Sequence, residues 1–390
     1  MKIFDAIVLG VGGVGSAALW QLAHRGLRVL GIDRFGIAHD RGSSHGSTRI
    51  IRQAYFEHPS YVPLALRSYE LWHEIEEQVR EQLLYQVGLV QVGPPDGEVV
   101  AGVLRSAAEH QLPVERLAPR EAMKRWPALD VPEDAAAVFE RRAGYLRVEA
   151  CVRAHIAAAQ RAGAELHTDE AVTGWRVETG GDVVVETERG TYCAARLIIA
   201  AGAWAPELLN ELAVPFVVLR KPVFWYSTET PEFGTSELPC FLYELNELNA
   251  EGEPAGACEF YGFPAIDDLG VKVAEHTGGI VVRDPLKVSR ELLPADKARV
   301  EAFTTACLPA LGYRMHAHRV CLYTMSPDRH FIVDRHPRHP QVVFAAGLSG
   351  HGFKFTPVLG EALADLATDG ATKLPIGFLG LARFGNQSIK

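Results

Sequence analysis

The stretch Asp5-Ala-Ile-Val-Leu-Gly10-Val-Gly-Gly-Val-Gly15-Ser-Ala-Ala-Leu-Trp20-Gln-Leu-Ala-His-Arg25-Gly-Leu-Arg-Val-Leu30-Gly-Ile-Asp33 decides the fold. Asp5 to Gly10 is an apolar run of the kind that a parallel strand buried on both faces requires. Ser16 to Arg25 has helix-compatible spacing, Gly26 is placed to end that helix, and Leu27 to Ile32 reads as a second strand finishing at Asp33. Gly10, Gly12, Gly13 and Gly15 form the turn between strand and helix, in a G-x-G-x-x-G pattern. Such a turn lets backbone approach a pyrophosphate, and the helix start offers it unpaired N–H groups and positive dipole. Asp33 stands 23 positions after Gly10, near the offset at which a carboxylate meets the ribose hydroxyls of a dinucleotide. This βαβ unit predicts a dinucleotide-binding α/β domain, with NAD and FAD both open.

Two later runs bear on that choice. Leu197-Ile-Ile-Ala-Ala-Gly202-Ala-Trp204 reads as a buried strand ending in small residues, where another backbone or a ligand comes close. Val342-Val-Phe-Ala-Ala-Gly347-Leu-Ser-Gly350-His-Gly352-Phe-Lys354 is again an apolar strand, followed by a glycine-rich turn into a helix. Three strand ends meeting at one ligand suit a long cofactor such as FAD better than a compact NAD half-site. Between these runs, Tyr61 to Leu83 predicts an amphipathic helix and Glu149 to Ala162 an Ala-rich one, while strands dominate from Val217 to Val282. The expected architecture is α/β, α+β overall. A Rossmann-like domain from 1–86, 147–218 and 327–390 is interleaved with a β-rich substrate domain from 87–146 and 219–326.

The 390 residues carry 39 Lys and Arg against 48 Asp and Glu, a net charge of −9, which is not the basic footprint of a nucleic-acid binder. The uncharged run Ala6 to Ala23 is long enough to imitate a membrane span, but its glycines and strand-like first half point to a strand, a turn and a helix. Without a basic start or cleavage site the chain is expected in the cytoplasm. Six cysteines, with no C-x-x-C pair, indicate neither a disulfide framework nor an iron–sulfur site. His316, His318 and the His-Pro-Arg-His-Pro run at 336–340 lack a third ligand at metal-binding spacing, so they are expected to be solvated loop residues with no metal.

Arg49 and Arg52 lie three apart among apolar residues, and Lys354 stands in an otherwise uncharged glycine-rich turn. Long cations so placed call for an anion, and a substrate carboxylate is one. Lys272 alternates with apolar neighbours in Gly270-Val-Lys-Val-Ala, which directs its side chain into a cleft or into water. Cys321, taken alone, reads as a small buried hydrophobe.

The run Gly42-Ser-Ser-His45-Gly-Ser-Thr-Arg49-Ile-Ile-Arg52, the segment from Tyr261-Gly-Phe-Pro264 to Lys272, Cys321-Leu-Tyr323-Thr and Gly350-His-Gly-Phe-Lys354 together resemble the monomeric sarcosine oxidase family, from end to end of the chain. These are FAD-dependent amine oxidases with a D-amino acid oxidase-like fold. The resemblance implies oxidation of sarcosine to glycine, formaldehyde and hydrogen peroxide, with molecular oxygen as acceptor. N-methyl-L-tryptophan and L-pipecolate or proline-type oxidation, or a dehydrogenase using another acceptor, are the alternatives. It assigns Arg52 and Lys354 to the substrate carboxylate, and His45 and Arg49 to the flavin. Lys272 is assigned to oxygen activation, His276, Tyr323 and Tyr261 to the substrate pocket, and Cys321 to a thioether with FAD. It also implies a monomer acting on a small N-methyl or cyclic amino acid, without nucleic-acid or membrane partners. Two departures stand out: Glu275 beside His276, where an uncharged residue is expected, and an acidic Gly- and Pro-containing loop expected from Glu244 to Ala257.

Overall fold

A computed structural model of the chain describes residues 3–248 and 254–388. Strand β1 (Ile3–Leu9), helix α1 (Gly13–His24) and strand β2 (Val29–Ile32) form the expected βαβ unit at the centre of an eight-stranded sheet. In register, Ile7 sits between Leu30 of β2 and Leu197 of the strand Thr191–Ile199, all parallel. The second half of that long strand also pairs in parallel with Val342–Ala346, while its first half turns back antiparallel against Val183–Thr187. Four parallel strands therefore end together at Leu9, Ile32, Ile199 and Ala346. The carboxyl ends of such strands are where α/β sheets bind ligands.

Helix α1 is buried along nearly its whole length and packs against the helices Val148–Arg161 and Thr356–Thr368. The glycines permit this. Gly10 takes φ +81°, and a Cβ on Gly15 would lie 1.8 Å from the Gly10 carbonyl oxygen, so helix and strand meet only when that position is bare. A Cβ on Gly10 would meet the Ala200 carbonyl oxygen at 2.7 Å. The close approach expected at the end of the Leu197–Trp204 run is thus an approach of backbone to Gly10.

A second sheet, of nine strands, is built mainly from residues 217–325, with three strands drawn from 89–140. It is antiparallel except where Cys240–Tyr243 runs parallel to Leu89–Val92. A three-stranded sheet of Thr48–Ile51, Gly144–Arg147 and Leu84–Tyr85 carries Arg49.

Three expectations need correction. The helix expected over Tyr61–Leu83 spans Val62–Val79, because Arg80 turns left-handed at φ 55° and Leu84 joins the small sheet. The stretch expected as a loop from Glu244 to Ala257 lies largely in two paired strands, Cys240–Leu248 and Pro254–Phe263; residues 249–253 fall outside the described ones. His316 and His318 lie on the strand Met315–Met325, bonded to the Ser227 hydroxyl and the Arg290 carbonyl, and His336 is buried rather than solvated. The uncharged run Ala6–Ala23 is β1, the turn and α1. Among the described residues no helix is long and apolar enough to cross a membrane.

Candidate active site

A long cavity opens at the joint carboxyl end of the parallel strands. It runs from Asp33 and Arg34, past Gly10, Gly12, Gly13 and Gly202, to Arg49, Tyr323, Gly347, Gly350 and Gly352. The three strand ends singled out in the sequence line one elongated space. At one end an Asp33 oxygen accepts the Val11 N–H at 2.7 Å and the other accepts Phe35 N–H at 3.0 Å. Asp33 therefore also fixes the glycine turn, and each of its oxygens keeps a lone pair for a hydroxyl. A Cβ on Gly12 would meet only the Ser44 hydroxyl, at 3.5 Å, and one on Gly202 would meet nothing within 4 Å. Helix α1 has no acidic residue in its first turn, and its N-terminus faces this bare cradle. Length, ribose-facing acid and bare helix start fit FAD.

The far end of the cavity is cationic beneath its surface. Arg49, on the strand Thr48–Ile51, donates to the Ser43 and Thr48 carbonyls at 2.8 Å each and to the Cys321 sulfur at 3.4 Å. Burial opposes its charge, but Cys321, Tyr261 and Tyr323 hold its pKa above the ordinary value. The Cys321 sulfur lies 3.9 Å from His45 Nδ1. Burial favours the neutral thiol there, yet His45, Arg49 and Lys272 prevail and bring its pKa down to about 6. The other five cysteines are buried thiols. Cys321 is 1% exposed and lies behind the cavity wall formed by Arg49, Leu322 and Tyr323. His45 is buried beside it, its Nε2 without a hydrogen-bond partner.

Lys272 is on the strand Val271–Glu275, opposite Trp225 and Phe263, and its ammonium lies 5.4 Å and 4.8 Å from their ring centroids. It points away from water. Nζ donates to the Gly46 carbonyl at 2.6 Å, the Thr48 carbonyl at 2.9 Å and the Thr48 hydroxyl at 3.3 Å. Burial, then Arg49, pushes its pKa well below the ordinary lysine value. Gly46 and Ser47 are in turn held by the Glu149 carboxylate, through N–H bonds of 2.8 and 3.2 Å.

A smaller cavity of about 50 Å³ adjoins the first and shares Arg49, Tyr323, Gly350 and Phe353 with it. Arg52, Tyr261, His276 and Lys354 also line it, so all the substrate-side residues read from the sequence meet in one place. Lys354 donates to the His351 carbonyl at 2.8 Å and to the Tyr55 hydroxyl at 3.4 Å, both neutral, and burial followed by Arg52 lowers its pKa to about 7. His276 and Tyr323 approach at 3.4 Å. Burial brings the pKa of His276 to about 3 and that of His351 to about 4, so neither imidazole is a base of ordinary strength.

Arg52 meets an anion that sequence reasoning missed. Both Glu57 oxygens accept from its Nη2 at 2.7 Å, and the guanidinium is sandwiched over the Tyr55 and Phe56 rings at 4.1 and 4.3 Å. Burial opposes ionisation of Glu57, but Arg52, His351 and Lys354 draw its pKa down to about 2. The pair is therefore intact at every pH near neutrality. Glu140 was also unforeseen: it accepts the Gln53 and Ala54 N–H groups at 2.7 and 3.0 Å and so holds the Arg52 segment. No local motif marks either acid, since each acts on a segment of backbone or a cation brought to it by folding. Glu275, the unexpected acid beside His276, is bound by Arg299 at 2.7 and 2.8 Å and is not among the pocket-lining residues.

Residues 5–366 match the family described as FAD dependent oxidoreductase. The chain is 44% identical to the monomeric sarcosine oxidase of Streptomyces avermitilis over 96% of each chain. It is 38% identical to that of Bacillus sp. strain B-0618, covering 97% of this chain and 96% of the relative. Its identity to the N-methyl-L-tryptophan oxidase of Salmonella dublin is 36%, with 98% and 99% covered. Among solved structures it is similar to NikD, an unusual amino acid oxidase essential for nikkomycin biosynthesis. The TM-score is 0.85 at 24% identity, with 97% of this chain and 98% of NikD covered. That likeness bears on fold alone.

Proposed function

Because the chain belongs to the FAD dependent oxidoreductase family, and within it groups with the monomeric sarcosine oxidases as an amine-oxidising enzyme, we propose that it oxidises sarcosine to glycine and formaldehyde, with oxygen as acceptor. The observation that carries the substrate choice is the small pocket of Arg52, Tyr261, His276, Tyr323 and Lys354 beside the cofactor cavity. At about 50 Å³ it is small beside the cofactor cavity, which suits a compact amino acid such as sarcosine. FAD, when bound, supplies the hydride acceptor and passes the electrons to oxygen, giving hydrogen peroxide.

The protein's part is placement and charge. Lys354 and Arg52 hold the substrate carboxylate, which turns the N-methyl carbon toward the cavity shared with Arg49 and Tyr323. Tyr261, Tyr323 and neutral His276 enclose the amine and exclude water. With His276 and His351 too acidic to take a proton near neutrality, the substrate amine enters neutral. Lys272 and Arg49 supply fixed positive charge at the oxygen-reacting end. On this reading residues 1–86, 147–218 and 327–390 form the FAD-binding domain, which also lends Arg52 and Lys354 to the substrate, and residues 87–146 and 219–326 form the substrate domain, in a chain that works as a monomer.

The test is anaerobic mixing of the purified yellow protein with sarcosine, L-pipecolate and N-methyl-L-tryptophan in parallel. Sarcosine should bleach the visible absorbance fastest, and its rate should climb with pH as more amine is neutral. Faster bleaching by either bulkier amine would replace the substrate while leaving the reaction class.

The proposed FAD attachment rests on the Cys321 sulfur, whose neighbours His45 and Arg49 favour the thiolate that is the nucleophile. Acid precipitation should leave the yellow colour in the pellet for the native chain and release it to the supernatant for Cys321→Ser. Colour released from both would rule out the thioether.

A further inference from the structure

The turn joining the strands Ile332–Arg335 and Val342–Ala346 carries His336 and His339, and the short helical turn Asn210–Leu212 brings Glu211 against them. One potential ligand atom from each of the three lies within 4.8 Å of the other two. We propose that Glu211, His336 and His339 bind a divalent cation of the zinc class, at a site separate from the cofactor cavity.

The first support is unmet polarity. The His336 side chain has no exposed surface, and neither of its ring nitrogens, nor Glu211 Oε1, has a hydrogen-bond partner. Burying such atoms unpaired is costly. Nε2 and Oε1 lie 2.5 Å apart as an ion-pair contact without hydrogen-bond geometry, and a cation that drew them apart would bind both.

The second support is that each ligand is already oriented. Arg338 pairs with Glu211 Oε2 and leaves Oε1 toward the histidines. The two imidazoles lie 5.0 Å apart at 21°, and the Trp175 ring packs edge-on against both at 5.7 Å. Backbone bonds from His339 N–H to the His336 carbonyl and from Val342 N–H to the His339 carbonyl, 3.2 and 2.8 Å, pin the turn. Outer contacts of this kind hold metal ligands in place.

The donor set selects the ion. Two imidazole nitrogens and one carboxylate oxygen, with a fourth position left to water, match tetrahedral zinc and not magnesium or calcium, which prefer oxygen. Ligand atoms around tetrahedral zinc lie about 3.3 Å apart. Glu211 is part-exposed and held by Arg338 at Oε2, and a turn about that contact moves Oε1 away from Nε2 by the necessary distance of about an ångström. The turn stands at the amino end of the strand whose carboxyl end carries Gly347–Gly352. A cation there ties residues 210–212 to the sheet edge and stabilises the fold by mass action, away from the chemistry.

Untagged holoenzyme dialysed against micromolar Zn²⁺ should retain one equivalent per chain, measured by emission spectroscopy, and should melt at higher temperature than after chelation. His339→Ala and Glu211→Gln, which spare the buried His336, should each weaken retention at least tenfold with sarcosine turnover unchanged. Retention below half an equivalent by the native chain, or full retention by both variants, overturns the site.

Discussion

Lys272→Met should be reduced by sarcosine within a few-fold of the native rate but reoxidised by oxygen about a hundred to a thousand times more slowly. The first electron transfer to oxygen creates negative charge, and a fixed cation in a water-excluded site stabilises that charge far more than solvent would. Lys272 is such a cation: 2% exposed, flanked by the Trp225 and Phe263 rings, and held by three oxygen acceptors. A neutral amine has only two N–H donors, so the three acceptors favour the ammonium, against the burial and Arg49 that depress its pKa. It is charged below that lowered pKa and neutral above it. Native reoxidation should therefore slow as pH rises through the lowered pKa, while the variant shows no such inflection. Stopped-flow measurement of the two half-reactions decides it, and equal slowing of both would remove Lys272 from the oxygen step.

Lys354→Met should lower kcat/KM for sarcosine by about 10- to 150-fold, the loss of one hydrogen bond to a charged group worth about 1.5–3 kcal/mol. Arg52 is a less clean probe. It is already bound to Glu57, and removing it strands a buried carboxylate, which costs about 3–5 kcal/mol of stability. Among the described residues Lys354 donates to a carbonyl and a phenol and to no carboxylate, so its ammonium keeps a donor for a substrate. With its pKa lowered to about 7, the ammonium is present below that value and lost above it, and native KM should rise in the same direction. Sarcosinamide, which lacks the carboxylate, should be turned over equally by both proteins. An equal loss with the amide would mean that Lys354 shapes the pocket without reading the carboxylate.

The βαβ unit was legible because its determinants are local. A buried parallel strand is uniformly apolar, the turn needs bare glycines at fixed spacing, and the acid follows at the length of one helix and one strand. The convergence of the 197–204 and 342–354 runs on the same cavity was readable for the same reason, each being a strand end with small residues. Helix and loop limits were less so. Arg80 ends its helix in a left-handed conformation with no glycine to announce it, and the acidic stretch around Glu244 pairs as a strand because Glu259 and its neighbours lie alongside.

Periodicity, spacing and motif fixed the dinucleotide-binding class and the strand-turn-helix frame, while most of the pocket residues were named through the family resemblance. Which charges meet was set by packing in three dimensions. Glu57 neutralises Arg52, Glu140 holds its backbone, Arg299 takes up Glu275, and Glu211 finds His336 across more than a hundred residues. Electrostatic partnership depends on distance through space and on burial, and neither is encoded in the separation of two residues along the chain.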